Sequence, residues 1–234
     1  MRSGMKKPIR GIKDNRILSP SQIIFLRKFI PSDLKDVFRL TGGTALSAFY
    51  LQHRISEDLD FFSSEKVVFH SLERVLRGMD CVSEISYTKQ FDRNLFQIKL
   101  RDASFLKVEF TFFPLKNLED PHTIEGMRVD SFLDIVVNKI CAIADRTDVK
   151  DFVDLYYALK KDNLSLNRLI SLAEKKCEIR GIRHILKRRL LQVPQGINQL
   201  RLKASIKADE MEDLFRRLIK KMVEKEILSQ KETE

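Results

Sequence analysis

Residues 41–63 read TGGTALSAFYLQHRISEDLDFFS, and the fold turns on how the two halves of this stretch are read. In the second half the pattern alternates. Ser56, Asp58 and Asp60 point to one side of an extended chain and Glu57, Leu59 and Phe61 to the other, the period of a strand. In the first half Leu46, Phe49 and Tyr50 keep helical spacing, entered from Arg39-Leu40-Thr41 through a glycine pair. Such a pair permits a sharp turn and a close approach of another group to the backbone. The first N–H groups of the helix that follows have no intrahelical partner and attract anions.

Working outward, Ser19 or Ser21 is placed to cap a short helix through Ile23, Ile24, Phe25 and Phe29, ending near Pro31. A second short helix is expected over 33–38 and a third over 69–78, closed by Gly78. Three alternating runs follow, SEISYTKQ, LFQIKLRD and FLKVEFTFF, separated by turn-forming Asp92-Arg93-Asn94 and Asp102-Ala103-Ser104. They predict an antiparallel meander continuing the sheet. Pro114 and Pro121 bracket a loop. After Asp130 the pattern becomes helical, with Ser131 and Asp134 spaced as a capping box. Pro194 and Gly196 interrupt it, and a last helix runs from about Ala208 to Leu228, acidic first and basic later, as the helix dipole favours. The fold class is therefore α+β: an N-terminal domain with a mixed or antiparallel sheet over 1–125, then a helical domain over 126–234.

A chain of 234 residues can bury an ordinary core without covalent staples. The three cysteines, Cys81, Cys141 and Cys177, lie far apart without a C-x-x-C pair, which suits free thiols in a reducing cytoplasm and suggests neither redox nor zinc chemistry. No apolar h-region follows the basic N-terminus (MRSGMKKPIRGIKDNR), and no stretch approaches the roughly 20 apolar residues that span a bilayer. The net charge of +10 is unevenly placed: residues 168–203 hold ten basic residues against two acidic ones, Glu174 and Glu178. That segment reads either as an electrostatic footprint for nucleic acid or as a solvated helix surface.

On one strand face, Asp58 and Asp60 would stand about 6–7 Å apart. The pair reads as the polar face of an edge strand or as oxygen ligands for Mg²⁺, which completes its shell with water and substrate phosphates. Glu109 shares a face with Lys107 and Thr111 in FLKVEFTFF and would join the aspartates if the two strands were neighbours. Lys139 lies among Ile135, Val136, Ile140 and Ile143, so its cation needs an anionic partner or a route to water. Asp151 and Asp154 share one side of the next helix, where Asp151 is also placed to cap with Asp148. Arg54 is positioned to touch a substrate or to pair with Asp58, and the four histidines are too scattered for a catalytic role.

The string GGTAL…HR-x-S-x-DLDFF resembles the opening motif of the AbiEii/AbiGii-type toxin family in the polymerase β-like nucleotidyltransferase superfamily. DIVVNKICAIADRTDVKDFVDLYYAL resembles the same family's later motifs, so the likeness runs from about Leu40 to Leu159. It implies a polymerase β-like domain followed by helices, and transfer of a nucleoside monophosphate from an NTP to an acceptor hydroxyl with Mg²⁺ or Mn²⁺. By that resemblance Gly42, Gly43 and Thr44 would meet the nucleotide phosphates, with Arg54 and Ser56 close by. Asp58, Asp60 and Glu109 would hold metal, Lys139 would reach the triphosphate, and Asp154, with Asp151 as its rival, would lie near the nucleotide. Two features depart from many relatives. Fourteen residues separate Gly43 from Asp58, and Gly43 stands where a serine is common, leaving phosphate contact to backbone N–H groups and the Thr44 hydroxyl. The implied acceptor is RNA, with the tRNA 3′ end foremost, bound by segment 168–203, and a cognate antitoxin is an implied partner. A nucleotide- or RNA-binding module without catalysis, and an enzyme that nucleotidylates protein, are the alternatives.

Overall fold

In the computed structural model, which describes residues 7, 8, 10–162 and 164–231, the chain divides into two compact units between Ile135 and Val136. The opening residues of the basic N-terminal stretch lie outside the described ones. The first unit is built on one mixed seven-stranded sheet in the order β3-β4-β5-β2-β1-β7-β6.

Helix α1 (Pro20–Phe29) starts as the sequence indicates. Ser19 caps it, with proline in its first turn and Gln22 completing a capping box. The Gln22 side chain also donates from Nε2 to the carbonyls of Ser56 and Glu57, which fixes the approach to β2. Residues 33–38 form turns instead of the expected helix. Strand β1 (Arg39–Thr41) leads into α2 (Gly42–Ala45), which continues as a π-helical stretch, Leu46–Leu51, every residue of it buried. Strand β2 (Asp58–Ser63) alternates as expected, with Asp58, Asp60 and Phe62 partly exposed and Leu59, Phe61 and Ser63 buried. It begins at Asp58, so Ser56 precedes it.

Helix α3 (Phe69–Arg77) ends at Gly78, and the meander follows as β3 (Val82–Gln90), β4 (Arg93–Leu100) and β5 (Phe105–Phe112). Strand β5 lies parallel to β2, so the adjacency the sequence left open is present. Within the stretch from Pro114 to Asp130, the hairpin of β6 (His122–Ile124) and β7 (Met127–Val129) was missed. Strand β7 pairs parallel with β1, which puts the unit boundary later than the division expected after residue 125.

The sheet's core face is aromatic. Phe29 and Phe61 meet tilted at 4.7 Å, Phe61 and Phe110 stack at 5.1 Å, and Phe38 meets Phe110 edge-on at 4.9 Å, with all four buried. Each such phenyl contributes about 1.5–3 kcal/mol of burial free energy. The opposite face carries Asp58 and Asp60.

Helix α4 (Phe132–Asp145) crosses the boundary, and Ser131 Oγ accepts from the Asp134 backbone N–H at 3.0 Å. The Asp134 carboxylate accepts from the Leu118 and Glu119 N–H groups, tying the loop before β6 to the helix start. The second unit continues through α5 (Val149–Asp162), α6 (Leu166–Cys177), α7 (Ile182–Leu190) and α8 (Ala208–Lys231). Its core includes Leu169, Ile170, Leu186 and Leu190, with Phe152 and Phe215 edge-on at 6.3 Å.

The expectation of three free thiols is corrected. Cys141 in α4 and Cys177 at the end of α6 form a disulfide, with Cα atoms 6.7 Å apart, while Cys81 is free. Helix packing brings together cysteines 36 positions apart, a proximity that spacing alone does not encode. Among the described residues no helix is long and apolar enough to cross a membrane.

Candidate active site

Register places the site. Thr41 of β1 pairs with Asp60 of β2, and Asp60 pairs with Glu109 of β5, while Asp58 pairs with Lys107. All these side chains share the face opposite the aromatic core, because residues two apart along a strand point the same way. Asp58 and Asp60 remain partly exposed, and the Lys107 ammonium lies 3.2 Å from Asp58 Oδ2.

The glycine pair is required by what presses on it. Gly42 has φ +71°, and a Cβ there would lie 2.1 Å from Asp60 Oδ2. At Gly43 a Cβ would lie 2.3 Å from Arg54 Nη2 and 3.2 Å from Ser56 Oγ. The pair thus lets a carboxylate and a guanidinium sit directly on the backbone at the start of α2. No side-chain bond from Thr41, the residue before the helix, caps that start. Helix end and Arg54 place two positive features side by side, the combination an anionic phosphate seeks.

Thr44 has a different task from the expected phosphate contact. It is fully buried, and its hydroxyl donates to the Asp58 backbone carbonyl, anchoring β2 to the helix. Arg54, buried itself, lies over Gly43. His53, also buried, has Nδ1 3.3 Å from Ser47 Oγ.

Glu109 is beside Asp60 in register but turned to the other neighbouring strand. Arg93 grips it at two points, Nε to Oε1 at 2.6 Å and Nη2 to Oε2 at 2.5 Å, and Thr111 donates to Oε1 at 2.7 Å. Burial pushes the Glu109 carboxyl up, but the bonds from Arg93 and Thr111 outweigh it and hold the group below its ordinary range. Arg93 was not singled out in the sequence, since its partner is a diagonal neighbour on the next strand.

The residues present fit a divalent ion, though not as three converging carboxylates. Among the described residues no group of three His, Cys, Asp or Glu side chains is arranged to hold a metal. Mg²⁺, however, needs only one or two carboxylates when phosphate and water complete its shell. Asp58 and Asp60 would be that pair.

In the second unit the expected anionic partner of Lys139 is internal. Its ammonium lies 2.7 Å from Asp151 Oδ1 and 2.8 Å from Asp154 Oδ2, with both aspartates buried. Arg146 Nε adds a bond to Asp151 Oδ2 at 2.8 Å. Burial raises the Asp151 carboxyl, but Lys139 and Arg146 more than offset this and leave it below the usual range. Asp151 therefore does not use its side chain as a helix cap; Asp148 accepts from the Lys150 N–H instead. Of the ten basic residues in 168–203, several are engaged within the unit: Arg183 with Asn167, Ser171 and Glu174, Lys187 with Glu226, and Arg189 with Thr147. Arg168, Lys175, Arg180, Arg188, Arg201 and Lys203 are exposed.

A glycine turn at a helix start, with Asp58 and Asp60 on the adjacent strand of a mixed sheet, is the arrangement that the sequence's resemblance to nucleotidyltransferases implies. The comparisons agree and are more particular. The family described as nucleotidyl transferase AbiEii toxin, type IV toxin–antitoxin system, matches residues 24–232, and the chain belongs to it. A relative from Aquifex aeolicus (strain VF5), described as the uncharacterized protein aq_aa25, is 33% identical over 165 residues, 69% of this chain and 76% of that protein. A crystal structure of a candidate nucleotidyltransferase from Helicobacter pylori is similar with TM-score 0.56 and 25% identity over 89% of this chain and 98% of that one. The structure of JHP933 from Helicobacter pylori shares the fold, with TM-score 0.55 and 24% identity over 92% of this chain and 99% of that one.

Proposed function

We propose that this nucleotidyltransferase is metal-dependent and transfers a nucleoside monophosphate from an NTP to an RNA hydroxyl, the tRNA 3′ end being the first acceptor to test. The observation that supports it most is the accessible face shared by Asp58 and Asp60 beside the Gly42-Gly43 turn, where Arg54 and an uncapped helix start offer positive charge. Mg²⁺ or Mn²⁺ held by the two aspartates would neutralise triphosphate charge and favour the ionised acceptor. Gly42 and Gly43 present backbone to the phosphates, Arg54 and Ser56 flank them, and Thr44 holds Asp58 in place through its carbonyl. Such in-line transfer depends chiefly on positioning and charge.

Lys139 and Asp154 enter the proposal by family resemblance as nucleotide-contacting residues of the helical unit, with Asp151 as their support. The exposed basic residues of 168–203 are the proposed RNA contacts, and a cytoplasmic setting is part of the same proposal. A cognate antitoxin is the partner that the family's description suggests for this chain.

The test is incubation of purified protein with tRNA, Mg²⁺ and each labelled NTP in turn. Label should pass to tRNA with release of pyrophosphate, and Asp58→Ala with Asp60→Ala should abolish it. Transfer that survives both substitutions rejects the proposal. Nucleotide binding without pyrophosphate would identify a non-catalytic module, and label on protein a protein-nucleotidylating enzyme.

A further inference from the structure

Glu109 stands directly across from Asp60 in a parallel ladder, a pairing in which two like charges repel. The sheet answers that repulsion on the far side. Arg93, which opposes Thr111 in the antiparallel β4–β5 register, reaches diagonally to Glu109 and takes both carboxylate oxygens, while Thr111 takes a further lone pair. Asp58 and its partner Lys107 contrast with this. That pair has one contact at 3.2 Å, with the two side chains 39% and 45% exposed, whereas the Glu109 side chain is only 10% exposed. A single-point, water-facing pair is worth little and exchanges readily, but a two-point pair with one buried member does not.

We propose that Arg93 is a positioning residue that withholds Glu109 from the metal site, so that the site offers an ion Asp58 and Asp60 alone. The inference rests on the proposed metal dependence of the same site. An ion bound at Glu109 would need the oxygens that the guanidinium occupies, and it would meet that guanidinium's charge at contact distance. Lys107 can leave Asp58 without uncovering a buried charge, whereas releasing Glu109 would leave a buried anion beside Asp60. The clamp keeps the ion's protein ligands few, so substrate phosphates complete the shell. Metal binding is thereby tied to the presence of nucleotide.

A titration with Mn²⁺ alone, followed by electron paramagnetic resonance of the free ion, tests the clamp without reference to turnover. Glu109→Gln should leave Mn²⁺ affinity within about threefold of wild type, since Glu109 is not a ligand. Arg93→Met should tighten binding about tenfold, because an added carboxylate ligand raises affinity. Arg93→Lys, which keeps the charge but loses the two-point grip, should fall between, and it guards against a poorly folded Met variant. In a Glu109→Gln background Arg93→Met should have less than about a threefold effect, as expected when one residue acts through the other. A gain of full size in that background would show a general charge effect and overturn the clamp. A tenfold loss in Glu109→Gln, or no gain in either Arg93 variant, would do the same while leaving the metal site standing. Wild-type protein whose Mn²⁺ binding is unaffected by Asp58→Asn with Asp60→Asn would remove both the metal site and the clamp.

Discussion

Two aspartate pairs, one in each unit, are placed in opposite ways. In the sheet, Asp58 and Asp60 lie on a partly exposed strand face, and the nearest cation on Asp58 is a half-exposed lysine. In the helical unit, Asp151 and Asp154 are buried around Lys139, with Arg146 completing the cluster. Aspartates thus face solvent on one strand in the first region and an internal lysine in the second. An open site sacrifices stability to ligand binding, whereas a closed cluster tolerates little loss, because removing one partner strands a buried charge.

The sharpest way to break the comparison is at the aspartates. Asp58→Asn with Asp60→Asn should lower nucleotidyl transfer on the order of a thousand-fold, the scale of losing a principal charge-stabilising group, while the thermal midpoint stays level or rises. A comparable loss of stability in a melting scan would mean the pair is structural. Lys139→Met should show the reverse emphasis. It leaves Asp151 and Asp154 without their shared ammonium and should cost about 3–5 kcal/mol in urea unfolding. A Lys139→Met protein of wild-type stability would show that the cluster does not depend on the lysine.

The disulfide sharpens the contrast further, since it lies in the same unit as the closed cluster. Closing a loop between residues 36 apart constrains the unfolded chain, and Cys141→Ser with Cys177→Ser should cost about 2–4 kcal/mol. Reductant should reproduce that loss in wild type and have no effect on the double variant. Equal stability with and without reductant would show that the bridge does not contribute.

Local chemistry was legible from the sequence, whereas long-range pairing was only partly so. Ser19 and Gln22 declare the start of α1, and alternation declares β2 to β5, because capping and period are properties of neighbours. The face shared by Asp58 and Asp60 follows from the same alternation. The place of Glu109 beside them needed β5 to lie next to β2, which no spacing states, and its capture by Arg93 needed the β4–β5 register as well. The β6–β7 hairpin was lost because each strand has three residues, too few for alternation to register. For Lys139 the demand for an anion was visible in its apolar neighbours, but two helices had to be packed before Asp151 and Asp154 could be seen to meet it.

The smallest effect expected is one of pH, and it sets one buried aspartate of each unit, Asp151 and Asp130, apart by sign. Burial raises the Asp151 carboxyl, but Lys139 and Arg146 bring it below its ordinary value, so the folded state holds its proton less tightly than the unfolded chain. Its contribution is fully present above the unfolded value, near 3.8, and disappears as pH falls through the lower folded value. Asp130 in the sheet unit behaves oppositely. Burial raises its carboxyl more than Arg39, 2.7 Å away, lowers it, so its ionisation costs stability as pH rises through the elevated value. Glu109, held low by Arg93, sides with Asp151. Unfolding measured from pH 6 down to pH 3 should show wild type losing more stability than Asp151→Asn, which has no proton to gain. Over the same range Asp130→Asn, less stable throughout because Arg39 loses its partner, should fall more steeply than wild type, since wild type recovers part of the Asp130 cost on protonation. Parallel curves for all three proteins would show that neither aspartate is coupled to folding through its proton, and the contrast between the two regions would then rest on geometry alone.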